Sequence, residues 1–480
     1  MASPGDAAAI VELDASRPVG AFDRLSGVQG SPAAIVDGEP ELVREFREAR
    51  IARSRFPQDC APNTLTLAGV FPDENADPAS AAGYRFEDID RHVRAAHAAG
   101  AEILWQSSYD VGRSDRWVGQ NLGGRAPENL SRWGRVVTRC LEHFNNGFAG
   151  GFDYSVRNAE FVNEPDGLGG FHAGHEKRLL PAFLHFLETV DAYNRAHAGT
   201  PVRAVGPGIP LSISEWPTWR PRFDAALRAI RGAGKSLPAF SFHTYGRDVS
   251  PRGNIRLAKE IRALLDVHRM HATELWNTEW LAGDFLRDHL SLGADKVARA
   301  TDPDQRRYGS AMAAYAVACK IGWQGVVRGS FYYRANVRAF PPGYRAPLAA
   351  GGYGRYFGPA GRLNALGLHE RLLSQVAALT PERCTTAVAE DDSFFALGLR
   401  SPDARAASLL VASLARAPRS VSLRVSALHS ARVRIRCVVL DENNDLTPHE
   451  LGTSTSSSGT HAVAFDVAPL SSAWLMLEGE

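Results

Sequence analysis

From about residue 20 to residue 378 the chain repeats one unit, a short apolar run followed by a long amphipathic segment. The runs lie near residues 25–30, 51–56, 102–106, 159–163, 202–206, 239–243, 275–279 and 325–332. Between them stand segments such as ELVREFREAR, FEDIDRHVRAAHAAG and NLSRWGRVVTRCLEHF, with apolar residues at helical spacing and charges on the opposite face. Eight strands, each followed by a helix, leave a parallel sheet covered by helices, and eight such units close it into a (β/α)8 barrel. The last helix is expected at residues 363–379. After Pro381 the period changes. Segments such as SVSLRVSAL and HAVAFDVA alternate by twos between turn residues, which predicts an antiparallel β-sandwich. The expected division is a barrel over residues 20–378 and a sandwich over 379–480, joined by a strand from residues 1–19.

Charge removes some functions. A net charge of +1 gives no footprint for nucleic acid, whose binding rests on many phosphate contacts. No segment is long and apolar enough to span a bilayer, and MASPGDAAAI lacks the basic and apolar regions of a signal peptide, so the expected location is cytoplasmic. Cys60, Cys140, Cys319, Cys384 and Cys437 are scattered and odd in number, the pattern of reduced thiols. His172 and His175 sit in a Gly-rich stretch without the i, i+4 helical spacing of a zinc motif. No metal or cofactor is expected. Nothing in the sequence sets the oligomeric state.

Two strand ends carry acids. The fourth runs into Asn163-Glu164-Pro165, and the seventh into Thr278-Glu279-Trp280. Barrel enzymes assemble their chemistry at the carboxyl ends of strands, and strands four and seven face each other across the mouth. Two carboxyl groups about 5 Å apart there suit a glycosidic bond cut with retention: one acid protonates the leaving oxygen, the other attacks the anomeric carbon. On this reading Glu279 stays ionised as nucleophile. Glu164 stays protonated as acid/base, through partial burial and the neighbouring negative charge. Asn163 is a candidate donor to the sugar 2-hydroxyl. Taken singly, each glutamate also fits a capping or ion-paired residue, and only their joint placement favours catalysis. On strand six, His243 and Tyr245 share a parity, so both point into the mouth if either does, and the tyrosine hydroxyl is within reach of Glu279. Trp105, Trp280, Tyr332 and Tyr333 fall at strand ends, where aromatic platforms for sugar rings belong.

Together the Asn163-Glu164-Pro165, His243-x-Tyr245 and Thr278-Glu279-Trp280 motifs resemble clan A retaining glycosidases, and within them glycoside hydrolase family 39. That family includes β-xylosidases, α-L-iduronidases and exopolysaccharide glycosidases. The opening Gly27-Val28-Gln29-Gly30 is similar to its first strand, and Arg53-Ser54-Arg55 to its second, which usually reads Arg-x-His. The resemblance implies a barrel with an appended β-sandwich, an oligosaccharide or polysaccharide substrate, and sugar contacts from Arg53 and Arg55. Two departures stand out. Arg55 replaces the usual histidine, and strand eight continues into Arg334 and Arg338 where the xylosidases carry acidic residues. Guanidinium groups there suit an acidic sugar, since they pair bidentately with carboxylates. Arginine is also the default cation of this chain, which has lysine at only five positions. An endo-acting glycosidase on a bacterial exopolysaccharide and a non-catalytic carbohydrate-binding barrel are the alternatives. The second predicts loss of one carboxylate.

Overall fold

The computed structural model describes residues 8–33, 41–56, 66–73, 75–108, 129–164, 176–245, 250–282, 302–333, 335, 356–357, 363–389 and 391–480. Eight strands pair in parallel, in chain order, and close on themselves: β2 (Val28–Gln29), β3 (Arg53–Phe56), β4 (Glu102–Gln106), β5 (Asn158–Glu160), β6 (Arg203–Leu211), β7 (Ala239–Thr244), β8 (Glu274–Trp280) and β9 (Gly329–Tyr332). They follow β1 (Ala9–Ala21). The helices between and after them are α1 (Val43–Ala49), α2 (Leu67–Val70), α3 (Glu87–Ala99), α4 (Leu130–Asn146), α5 (Glu176–Ala196), α6 (Trp216–Gly232), α7 (Pro251–Val267), α8 (Asp302–Gly322) and α9 (Ala365–Leu379). All eight expected strands are present, with ends shifted by a few residues. The (β/α)8 architecture stands.

Local chemistry sets the helix ends. The Asn129 side chain accepts from Arg132 N at the start of α4, and Gly147 closes it at φ 75°, a left-handed turn that glycine adopts without strain. Between them Trp133, Val136, Val137, Cys140, Leu141 and Phe144 form the buried stripe. By contrast α8 is buried on every side over residues 311–320, and such a helix must be covered all round. It runs between α7 and α9 on one side and strands of the second sheet on the other.

That sheet has nine strands, with β10 (Glu382–Val388), β11 (Phe394–Arg400), β12 (Ala406–Ser413), β13 (Arg419–Ser426), β14 (Arg432–Leu440), β15 (Asp445–Thr455), β16 (His461–Val467) and β17 (Ser471–Gly479) joined by β1. The N-terminal strand lies between β10 and β13, antiparallel to the first and parallel to the second. Val11, Leu13, Val421 and Leu423 share one core with Leu409, Val411, Leu475 and Leu477 from the other arm, so the sheet folds over on itself as a sandwich. Alternation in β17 then serves two cores. Leu475 and Leu477 point into the sandwich, while Trp474 and Met476 join the apolar mass around the barrel.

Inside the barrel, Leu104, Val205, Ala239, Trp276 and Phe331 make an apolar plug. Trp276 lies where a Cβ on Gly329 would come within 2.4 Å of its ring, so glycine there makes room for the indole. Two residues further along several of these strands the inward side chains become polar, and the site begins there. Cys140, Cys319, Cys384 and Cys437 are buried and free, and Cys60 lies outside the described residues. Among the described residues no helix is long and apolar enough to cross a membrane.

Candidate active site

Parity along the strands decides which side chains reach the mouth. On β3 the inward residues are Arg53 and Arg55, and only the second is at the carboxyl end. Its guanidinium is fully buried and every arm is engaged. Nε donates to Glu160 Oε2 at 2.6 Å, Nη1 to Glu279 Oε2 at 2.7 Å and to Gln29 Oε1, and Nη2 to Asn163 Oδ1 at 2.9 Å. Burial opposes this charge, but Glu160 and Glu279 outweigh it and raise the Arg55 pKa further.

Glu279 reaches the interior only because of a defect in β8. Phe242 pairs with Asn277 and His243 with Glu279, so Thr278 is an extra residue. A second register shift, between Asn277 and Trp280 on the β9 side, marks the same bulge. Without it, strict alternation from inward-facing Trp276 would turn Glu279 outward. The bulge aims the 4% exposed carboxylate into the mouth, where Arg55 donates to Oε2 and the Tyr245 hydroxyl to Oε1. Burial, then Glu279, Glu164 and Tyr333, hold the Tyr245 phenol pKa well above its ordinary value, so it remains a donor.

Glu164, 5% exposed, sits just past β5 with φ 38°, a left-handed conformation that costs a non-glycine residue about 1 kcal/mol. The Glu164 backbone N–H donates to Gly208 O at 3.2 Å, and that of Asn163 to Ser108 Oγ at 3.0 Å, which pins the turn. A Glu164 carboxylate oxygen lies 2.8 Å from His243 Nδ1. Burial pushes the His243 pKa down to about 4, with attraction from Glu279 opposed by Arg55, so the ring is neutral. Its Nε2 faces Arg55 Nη2, a pure donor, at 3.4 Å. Nε2 is therefore the acceptor, and the hydrogen sits on Nδ1, donated to Glu164.

Glu164, His243 and Glu279 converge, each offering one atom within 4.8 Å of the others. Among the described residues they are the one group with the makings of a metal site. A guanidinium bonded to one of its carboxylates argues against a cation. Asn163 Oδ1 accepts from both Arg55 and Gln106, while its buried Nδ2 has no partner among the described residues. It is a donor held in reserve.

The structure thus brings together Glu164, Glu279, Asn163, His243, Tyr245 and Arg55, with half-buried Tyr333 6.2 Å from the Tyr245 ring. Four expected contacts fail. Arg53 is inward but two residues below Arg55, at the opposite end of the barrel, where it pairs with Glu102 and lies 5.8 Å from the Trp276 ring. Trp105, Trp280 and Tyr332 have outward positions on their strands and are at most 1% exposed. Trp105 packs on Phe144, and Trp280 on Trp323 and Tyr332. They are parts of the strand–helix core, not sugar platforms. Arg334 and Arg338, His172 and His175, and Pro165 lie outside the described residues. Glu160, Gln29 and Gln106 were missed. The signal was available for two of them: Glu160 is a charge in an apolar run, and Gln106 has the parity of Leu104.

No family model and no curated protein matches this sequence. Solved structures do match its fold. A glucosidase from Croceicoccus marinus aligns with a TM-score of 0.71 and 20% identity, over 99% of this chain and 100% of that one. A monomeric β-xylosidase from Caulobacter crescentus gives 0.67 and 16%, over 98% and 99%. The GH39 enzyme from Xanthomonas axonopodis pv. citri gives 0.66 and 14%, over 99% and 98%. The likeness extends over barrel and sandwich together.

Proposed function

We propose that this chain, which has the fold of family 39 glycoside hydrolases, is itself a glycoside hydrolase that cleaves with retention through Glu279 and Glu164. The observation that carries the reading is the approach of the two carboxylates, which have oxygens within 4.8 Å of each other. Retaining enzymes hold them about 5–5.5 Å apart, whereas inverting ones leave about 6.5–9.5 Å for a water. The unequal surroundings agree. Glu279 accepts from a cation and a phenol, which favours its ionised form. Glu164 accepts from a neutral imidazole, which leaves its proton available to a leaving group.

Glu279 attacks the anomeric carbon as Glu164 gives its proton to the leaving oxygen, and the C–O bond breaks. The ester formed removes the Glu279 charge. Glu164, now a carboxylate, takes a proton from the water that opens the ester, and retention follows from two inversions. The orphaned Asn163 Nδ2 supports a contact to the sugar 2-hydroxyl. The neighbours named as a glucosidase and a β-xylosidase support glucosides and β-xylosides as first substrates. Uronides belong in the same panel because of Arg334 and Arg338. The test is proton NMR of the first sugar released from an aryl β-glycoside. The β-anomer should appear first, and initial release of the α-anomer would refute double displacement.

Tyr245→Phe removes a hydrogen bond to the charged form of Glu279 and so raises its pKa. The acidic limb of kcat/KM should move to higher pH, with about a tenfold loss at the optimum. A pH–rate profile of the variant checks both.

A further inference from the structure

Glu160 has a burial that its packing does not explain. It is 0% exposed, one oxygen meets Arg55 Nε at 2.6 Å, and the other has no hydrogen-bond partner among the described residues. Glutamine would satisfy Nε equally well without burying a second negative charge. Arg55 already has a carboxylate in Glu279, 2.7 Å from Nη1. One buried cation therefore serves two anions.

We propose that Glu160 is a positioning residue whose charge, shared through Arg55, keeps Glu279 under-neutralised and therefore reactive. This rests on the reading of Glu279 as nucleophile. Before reaction, Glu160 competes with Glu279 for the guanidinium and raises the energy of the Glu279 carboxylate. After the ester forms, Glu279 is neutral, and Glu160 remains as the counter-charge that Arg55 would otherwise lack. Both effects favour the covalent intermediate. The groups facing Glu279 from each element are Arg55 on β3, Glu164 after β5, and His243 and Tyr245 on and after β7, while Glu160 on β5 reaches it through Arg55. Gln29 on β2 and Tyr333 after β9 reach it through Arg55 and Tyr245. Of the anions among them, only Glu160 is bonded to Arg55 and lies away from the reacting atoms.

The experiment is a carbon NMR titration of the full chain labelled at glutamate Cδ, with the Glu279 signal identified by its loss in Glu279→Gln. In Glu160→Gln the Glu279 midpoint should fall by about one pH unit, from removal of a like charge at intermediate dielectric. Glu160→Asp, which draws the charge back by one methylene, should give a smaller fall, and it carries the test if the first variant does not fold. The acidic limb of kcat/KM on an aryl glycoside should follow the same shifts, and turnover should drop about tenfold in Glu160→Gln. A midpoint that stays put or rises in the folded variants overturns the inference. If the midpoint falls but the wild type hydrolyses no glycoside, the coupling stands and the proposed function fails. If the wild type is active and the midpoint does not move, only the role of Glu160 is lost.

Discussion

Glu279→Gln is expected to lower kcat by about 10⁴-fold or more on any glycoside the wild type cleaves, because the variant loses the carboxylate proposed to attack the anomeric carbon. The amide still occupies the volume between Arg55 and Tyr245, so the thermal midpoint should change little beside the loss of turnover. A more informative variant is Glu279→Ala with added azide. The small anion can enter the vacated space and attack from the same face, giving a single displacement. The glycosyl azide should then carry the opposite anomeric configuration to the substrate. Turnover of Glu279→Gln near the wild-type rate would remove the residue from the mechanism.

The second large effect depends on the leaving group. Glu164→Gln cannot donate a proton, so substrates with poor leaving groups should lose about 10²–10⁴-fold, the usual range for general acid catalysis. A dinitrophenyl glycoside needs little protonation, and its first step should remain close to wild type. Ester opening then becomes limiting, because the water has lost its base. A burst of dinitrophenol followed by a slow steady state is the expected trace. Azide should accelerate the slow phase, since it needs no base, and the product should keep the substrate's configuration. An equal loss on good and poor leaving groups, without a burst, would mean that Glu164 does not move protons. The two azide products, inverted from one variant and retained from the other, separate the roles of the carboxylates without reference to any sugar.

Much of this molecule was legible from residue order alone. The βα period demanded a closed parallel barrel, and the change to period two after Pro381 demanded a second, antiparallel layer, because each pattern buries an apolar face in only one architecture. Strand ends and parity pointed to Glu164, Glu279, His243 and Tyr245, side chains that the structure brings together. The aromatic candidates were misjudged for a definite reason: being near a strand end does not say which face a side chain takes. Trp105 and Tyr332 occupy outward positions and are sealed beneath helices. What only the tertiary structure decided is the electrostatic assembly. The Thr278 bulge rotates Glu279 inward against the alternation of its own strand, and sequence cannot reveal an extra residue that exists only relative to two neighbouring strands. The linking of Arg55 to Glu160, Gln29, Asn163 and Glu279 joins four strands or strand ends that are remote in the chain. Local propensity set the strands. The sharing of one buried charge among them arises only when the barrel closes, because Coulomb attraction strengthens as water is excluded.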